Sequence, residues 1–563
     1  MIRYTLSRQG TGQGVGWFSC IPEGNLSFTD LAVALREHPN DQFLRRYALE
    51  RMGDLAPDEL IALVETGGEH RPMFRSLAAE ATVVFTKFEP LRERLPGNRL
   101  ETLVRTSPLI YLRWLQAVRP ESHETWLRLF SENMTWHRPL PPPDASDLFI
   151  PYEPETLAGW LSRRVRVKGA FGVEAASRDV SPDRREVRER VKALNRKLEL
   201  LGILRGWESR TEATISPYAV ERPWHLDVSL KQGRNHWNLQ GELVSYGRGL
   251  NIHQARISCL MEIVERYSAF CRADELALPG YRAGSKLVKG SCSELKKTHE
   301  VVAPDEFLLE VPYEDQVIHW VAGERRGPRG FSSVLVPAQM VFMFANMDEP
   351  GLTAGLSSTG LGAGRTMEEA RLSGLLEVLE RDAEKVVPYC ENRRFLLTAE
   401  HPGIRDILEG LSRKGIQIQF LDLTHEFGIP CFKAFIQGPG GMILKGTAAN
   451  LDGKRAAVSA MTEIPYPYPY WFGSAMPPEG LRTIRYEDLP CFSSGDASTD
   501  LGVVEEVLLR NGYQPIYVDL TGEDLEIPVV RVLVPGLELT SVLDRFSSLS
   551  FRKFAFYLAS LRE

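Results

Sequence analysis

The chain has little that would staple it, anchor it or draw it to a polyanion. Its seven cysteines (Cys20, Cys259, Cys271, Cys292, Cys390, Cys431, Cys491) are scattered through 563 residues, and none stands in a C-x-x-C pair. Zinc ribbons and dithiol redox chemistry therefore lack their ligands, and a reducing, cytoplasmic setting fits the cysteine usage. No apolar run approaches the length of a membrane span. The N-terminal MIRYTLSRQGTGQG has no hydrophobic core of the signal-peptide kind. Positive charge is not in excess: a formal net charge of −7 and a pI near 6.0 argue against general affinity for nucleic acid or an anionic membrane. With 43% hydrophobic and 25% charged residues, the composition is that of a globular protein, and the length suggests two or three domains.

What is present is one pattern, twice. Residues 255–266 read ARISCLMEIVER and residues 370–381 read ARLSGLLEVLER. A Gly-x-Gly precedes each at the same offset, Gly247 and Gly249, then Gly362 and Gly364. Two copies so far apart are no helical solenoid, whose unit recurs every 20–50 residues over several copies. On a helix, Ser258, Glu262 and Glu265 fall within an arc of roughly 60°. Ile257, Leu260, Met261, Ile263 and Val264 cover the other side. Ser373, Glu377 and Glu380 stand in the same way opposite Leu372, Leu375, Leu376, Val378 and Leu379. Arg266 and Arg381 each follow a glutamate by four residues, within pairing reach. A solvated helix face explains one such stripe. It tolerates any polar residue, so it does not explain the same Ser-x-x-x-Glu-x-x-Glu-Arg order twice. Paired acids on two helices point to a divalent metal and the anion it holds. A third, weaker copy starts at Ala456, with Ser459 and Glu463 at the matching offsets.

Around these motifs the texture changes along the chain. Residues 1–24 are Gly-rich with β character, and Phe28 to Val118 reads as helices punctuated by Pro and Gly. Residues 137–147, HRPLPPPDASD, form a stiff connector. A basic stretch from Arg163 to Arg196 ends in a helix that Gly202 terminates. Beyond it WHLDVSL, IQIQFLDLT, KGTAAN and PVVRVLVPG read as strands. IPYPYPYWFG, with Pro465, Pro467 and Pro469, reads as a rigid extended loop. The expected organisation is a mainly helical N-terminal region over 1–150, a linker over 151–182 and an α+β domain over 183–563, with mixed sheets feeding the acidic helices.

At the motifs the chain resembles the YcaO family. Gly247-Arg248-Gly249 with Ser258, Glu262, Glu265 and Arg266 is similar to that family's GKG plus S-x-x-x-E-x-x-E-R. STGLGAGRTMEEARLSGLLEVLERDA, residues 358–383, resembles its S-N-G-x-x-A-G-N-T-x-x-E-A…E-x-x-E-R-D segment. Asn450 to Glu463 resembles the segment carrying a further glutamate, and Val534, Pro535 and Gly536 match a late Val-Pro-Gly. The resemblance covers roughly Asp183 to Val542.

The resemblance implies an ATP- and Mg2+-dependent enzyme that O-phosphorylates a peptide-bond oxygen, leading to an azoline, an amidine or a thioamide. Without a Walker A loop, triphosphate binding relies on Mg2+ held by hard carboxylate oxygens. By resemblance Glu262, Glu265, Glu369, Glu377 and Glu380 hold the metal. Gly247, Arg248, Gly249, Ser258, Arg266, Gly362, Gly364, Glu369 and Arg381 bind the nucleotide, and Glu377, Arg381 and Glu463 are the catalytic candidates. Partners on this view are a peptide or protein substrate and a TfuA-like or leader-peptide-binding protein, with a homodimer admitted; residues 1–150 are expected to dock the peptide or the partner. Several positions depart from the pattern: Thr359 and Arg365 replace asparagines, Ser373 a polar amide or imidazole, and Tyr466 and Tyr468 a glutamine and an arginine. KFAFYLASLRE ends without the Pro-rich tail of azoline formers, which favours another branch. Two other readings stand beside this one. A di-iron protein needs Glu-x-x-His on two helices and finds no histidine there. A nucleotide-binding accessory protein, such as the factor in ribosomal-protein methylthiolation, needs the acids but not the replaced partners.

Overall fold

The computed structural model describes all residues except 11–15, 96–102, 104–106, 144–147, 172–183, 212–214, 283, 356, 466–473, 540–541 and 563. Tyr466, Pro467, Tyr468 and Pro469, and parts of the basic stretch, the linker and the Pro-rich connector, lie outside the described residues.

Each motif helix leaves a strand of its own sheet. The first sheet runs in the order Gly16–Pro22, Ile2–Gly10, Asn235–Gly249, Tyr218–Gln232, Ser209–Arg210, with Ala273–Asp274 beside Tyr218–Gln232. Its two long central strands form a hairpin paired from Tyr218↔Gly249 to Gln232↔Asn235. The second sheet runs Leu361–Ala363, Val529–Leu533, Ile516–Asp519, Ile318–Gly327, Leu287–Gly290, with Gly330–Pro337 paired to Ile318–Gly327. The third runs Ile443–Ala449, Cys431–Gln437, Gln419–Asp422, Arg394–Thr398, Thr483–Arg485. Asn235–Gly249 feeds the first motif helix, Ile252–Ala269; Leu361–Ala363 feeds the second, Met367–Val386; Ile443–Ala449 feeds the third, Gly453–Glu463.

Apolar periodicity decides which face of each helix is covered. Leu260, Ile263 and Val264 pack with Trp224, Leu226 and Leu239 of the first sheet and Val336, Val518 and Leu533 of the second. Leu375, Leu376, Val378 and Leu379 pack against Val530 and Val532 and against Val504, Val507 and Leu508 of the helix Ala497–Arg510. Further along, Ala383 and Val386 pack on Leu421, Cys431 and Phe435 of the third sheet. The opposite face of that sheet (Phe420, Phe432, Ala434) takes Ala456, Ala457, Ala460 and Met461 of the third motif helix. The second motif helix is thus central, and Glu380, Asp382, Glu384 and Lys385 are buried along with its apolar residues.

The architecture is α+β with mixed sheets and a helical N-terminal region. Helices Phe28–Glu37, Gln42–Gly53, Pro57–Glu65, Arg71–Val84 and Ile110–Gln116 share one core. The strand Ile2–Gly10 pairs in parallel with Asn235–Gly249 (Ile2↔Trp237), so the chain's first residues lie in the sheet that feeds the first motif helix. The C-terminal helix Phe551–Ser560 packs on His123–Trp136 and Pro154–Ser162 through Trp126, Phe130, Leu157, Phe554 and Tyr557. No described helix is long and apolar enough to cross a membrane.

Candidate active site

Each strand-to-helix connection ends in a side-chain cap. Asn251 accepts from the N–H groups of His253 and Gln254, Thr366 from that of Glu369, and Asp452 from that of Lys454. These satisfy donors that a helix start leaves orphaned. The glycines set how closely helix and strand approach. A Cβ at Gly247 would overlap the Ala255 carbonyl and lie 2.5 Å from the Cys259 nitrogen. One at Gly362 would overlap the Ala370 carbonyl and lie 2.6 Å from the Gly374 nitrogen. These are equivalent positions in the two repeats. Gly249 and Gly364 likewise face Gln254 and Glu369, and Gly446 of the third unit faces the Ala460 carbonyl. Sequence reasoning assigned Gly247, Gly249, Gly362 and Gly364 to close approach of a nucleotide. The neighbour the structure gives them is the motif helix.

The tight packing puts backbone N–H groups of the strands and their ends against the acids. The Tyr246 N–H donates to Glu262 Oε2 at 3.0 Å, and the Gly360 N–H donates to Glu377 Oε2 at 3.1 Å, so the equivalent glutamates of the two repeats are held alike. The Ala449 N–H reaches Glu380 Oε2 at 3.3 Å. Arg266 lies 3.9 Å from Glu262 and 3.8 Å from Glu265. Arg381 lies 3.3 Å from Glu380 and 3.4 Å from Glu384. Arg248 Nη1 donates to the Glu463 carbonyl at 3.2 Å, tying the first Gly-x-Gly to the end of the third motif helix.

The electrostatics join these acids into one cluster. Burial pushes the Glu265 carboxyl up to about 8, with Glu377 and Glu262 adding to the rise and Arg266 and Arg531 opposing it. Burial also raises Glu377, against Arg381, Arg266 and Arg531. Glu380 is held well above the carboxylate range by burial and by Glu463, Glu377 and Glu384, against Arg381. Burial raises Glu463 too, with Glu377 and Glu384 adding, against Arg381 and Arg248. Four carboxyls from three helices are therefore buried near one another, where added positive charge would favour their ionised form. Mg2+ ions would supply it, and carboxylate oxygens are the donors they take. Among the described residues no three acidic, histidine or cysteine side chains stand close enough to cage an ion by themselves. Mg2+ commonly keeps waters and phosphate oxygens in its shell, so such a cage is not required. The Glu262 side chain is 34% exposed and Arg381 33%, while Ser258 and Ser373 are exposed; the cluster opens to solvent along this stripe.

Glu369 lies apart from the contacts that join the other acids. Its carboxylate accepts from Arg365 Nε at 2.7 Å and from the Arg365 N–H at 2.8 Å, and Arg365 also reaches Glu186 at 3.1 Å. Burial works against ionisation here, but Arg365 and Arg190 hold Glu369 below its usual range. Two residues of the cluster were missed in the sequence. Arg531, fully buried in the strand Val529–Leu533, is drawn down to about 10 by burial beside Arg266, against Glu377 and Glu265. An arginine among valines in a core strand was the available signal. Glu384, four residues after Glu380, is buried, yet Lys445, Lys433 and Arg381 hold it down to about 2 against that burial. It continues the acidic stripe by one turn.

This arrangement of paired acidic helices, each led in by a glycine strand, makes an acid-lined site. The chain belongs to the YcaO family: the family model described as YcaO cyclodehydratase, ATP- and Mg2+-binding, matches residues 246–465 and 469–538. An uncharacterized protein from Methanothermobacter thermautotrophicus is 27% identical over 400 residues, spanning 63% of this chain and 94% of its own. An uncharacterized protein in the tfuA 3′ region of Rhizobium leguminosarum bv. trifolii is 27% identical over 339 residues, 53% of this chain and 77% of its own. Among solved structures, YcaO from Methanopyrus kandleri bound with AMPPCP and Mg2+ is similar at 22% identity and a TM-score of 0.45, over 62% of this chain and 90% of that one. A heterocyclase in complex with substrate and cofactor is similar at 20% identity and a TM-score of 0.47, over 61% of this chain and about half (52%) of that one.

Proposed function

We propose that the chain uses ATP and Mg2+ to activate a backbone amide of a peptide or protein for thioamide or amidine formation. The observation that carries this reading is the meeting of four buried, mutually repelling carboxyls, Glu265, Glu377, Glu380 and Glu463, from three strand–helix units, with Glu262 beside Glu265. ATP, when bound, would supply the phosphoryl group that turns an amide oxygen into a leaving group. The chain's own part is to hold and orient. Glu262 and Glu377 are fixed by backbone N–H groups, Arg266 and Arg381 orient the acids at each end, and Arg531 gives the floor of the site a positive charge. The relative encoded in a tfuA 3′ region supports a TfuA-like partner and the thioamide branch. Residues 1–150 are the docking region in this reading. Phosphate release from ATP, measured with Mg2+ and candidate peptides, tests it. Peptide-stimulated release that Glu377→Gln abolishes is the expected result.

The Arg365–Glu369 pair favours a second reading, a nucleotide-binding accessory protein. In that case Mg2+-dependent ATP binding is measurable and no peptide raises turnover.

A further inference from the structure

Outside the acid cluster, one group of buried polar side chains has donors with nothing to give to. The register of the third sheet places Arg394, Leu421, Lys433 and Thr447 in one row and Gln419, Phe435 and Lys445 in the next, on one face. The second motif helix covers part of this face. His137 covers another part. It ends the helix His123–Trp136 in the left-handed region (φ 54°), with its ring stacked on Tyr389 at 4.3 Å and edge-on to Phe435 at 4.5 Å.

Among the described residues, three buried nitrogens here have no partner: His137 Nε2, Arg394 Nε and Gln419 Nε2. Gln419 spends its oxygen on Arg394, which leaves the amide nitrogen over. Lys433 is 2% exposed, and among the described residues its amine makes no hydrogen bond or ion pair. The one buried carboxylate beside it, Glu384, is already engaged by Lys445, Thr447 and Arg381. Positive charge is therefore in excess. Burial, then Lys433, Arg394 and Lys445, push His137 down to about 2. Burial, then Lys445, push Lys433 down to about 7, against Glu384 and Cys431. Native interiors rarely leave one buried donor orphaned, and a fold gains nothing from several in one place.

We propose that this cluster of donors is a binding site for a small oxyanion, a phosphate or carboxylate group, reached past Lys445, whose side chain is 41% exposed. It borders the acid cluster at Glu384 and carries the opposite charge, and a test run without Mg2+ or nucleotide does not rest on the reading of that cluster. Lys433, His137, Arg394 and Gln419 supply the donors, and the anion returns Lys433 to its charged form. The two sources of such a group are free inorganic phosphate and a carboxylate of a bound peptide.

The test titrates the full chain, without Mg2+, with inorganic phosphate and separately with acetate, by calorimetry and thermal shift. Saturable binding of one or both is expected, weakened about tenfold or more in Lys433→Met, the scale of one lost charge-assisted hydrogen bond. His137→Phe, which keeps the stacked ring, should weaken it as well. Phosphate without acetate binding assigns the site to free phosphate, and acetate binding assigns it to a carboxylate. Lys433→Met should keep or raise the ligand-free melting temperature. Two results overturn the proposal: neither anion binds, or binding survives both substitutions undiminished. A drop in ligand-free melting temperature with unaltered anion affinity would likewise mean that Lys433 serves the fold alone.

Discussion

Arg365 grips Glu369 across one turn at the start of the second motif helix, its Nε donating to Oε1 at 2.7 Å. The resembled family pattern has asparagine at this position, which carries no charge to hold the acid. The Arg365 side chain is 50% exposed, so the pair is worth about 0.2–1 kcal/mol after solvent screening. Arg365→Asn is therefore expected to leave the melting temperature almost unchanged. Freeing Glu369 for a metal-bound nucleotide is expected to tighten Mg2+–ATP binding by up to about fivefold, as that energy converts. Equal affinity in the two proteins, measured by calorimetry, would remove Glu369 from the nucleotide site.

The sequence showed the stripes but not what faces them. Ser258, Glu262 and Glu265 have the same helical spacing whether they look into water or onto Glu377, because periodicity gives a direction and no distance. Only the repetition of the order argued for convergence. Arg248 meeting the Glu463 carbonyl joins residues far apart in the chain, and no local pattern encodes that contact. The parallel pairing Ile2↔Trp237 was hidden for the same reason: register between distant strands is set by the assembled core. The third unit, faint in sequence, is plain in structure because Gly446 against Ala460 repeats the glycine-strand device.

Glu265 gives the ligand-free protein a definite pH dependence. Its folded-state carboxyl sits at about 8 against an ordinary value of 4.5, so the folded form holds a proton that the unfolded chain has released. Its burial is therefore harmless below the ordinary value and costs stability as pH rises from about 4.5 to about 8. Melting temperature without metal is expected to fall over that window and to fall less in Glu265→Gln. Mg2+ together with nucleotide favours the ionised carboxylate, so their stabilising effect should grow with pH in the native chain. A melting curve that Glu265→Gln leaves unaltered would show that this acid is not held protonated.

Among the contacts of the C-terminal helix with the second motif helix is that of a buried arginine. Arg552 donates to Asp382 at 2.5 and 2.6 Å and, through Nε, to Glu426 at 2.8 Å. Asp382 follows Arg381 directly, and its Oδ1 also accepts from the Glu538 N–H at 2.9 Å. Arg552→Met would strand two buried carboxylates, a loss on the order of 3–5 kcal/mol. Urea unfolding is expected to show it as a lower midpoint. Adding Asp382→Asn to that variant should recover part of the loss, since one of the stranded charges is gone. If Arg552→Met unfolds at the native midpoint, the network does not clamp the two helices.

The glycines separate a packing role from simple backbone freedom. Gly362 carries no positive φ, yet a side chain there would overlap the Ala370 carbonyl and crowd the Gly374 nitrogen at 2.6 Å, both rigid backbone of the second motif helix. Gly362→Ala must push that helix off its strand, lengthening the Gly360–Glu377 hydrogen bond as it goes. A cost of about 1–3 kcal/mol is expected, the range for overpacking a tight contact. Weaker Mg2+–nucleotide binding should accompany it because Glu377 moves. Gly502, inside the helix Ala497–Arg510, has nothing within 4 Å of a built Cβ. There alanine should stabilise by about 0.4–1 kcal/mol by restricting the unfolded chain. Thermal unfolding of the two variants side by side checks the contrast: if both shift in the same direction, the close helix–strand approach is not what the glycine at 362 provides.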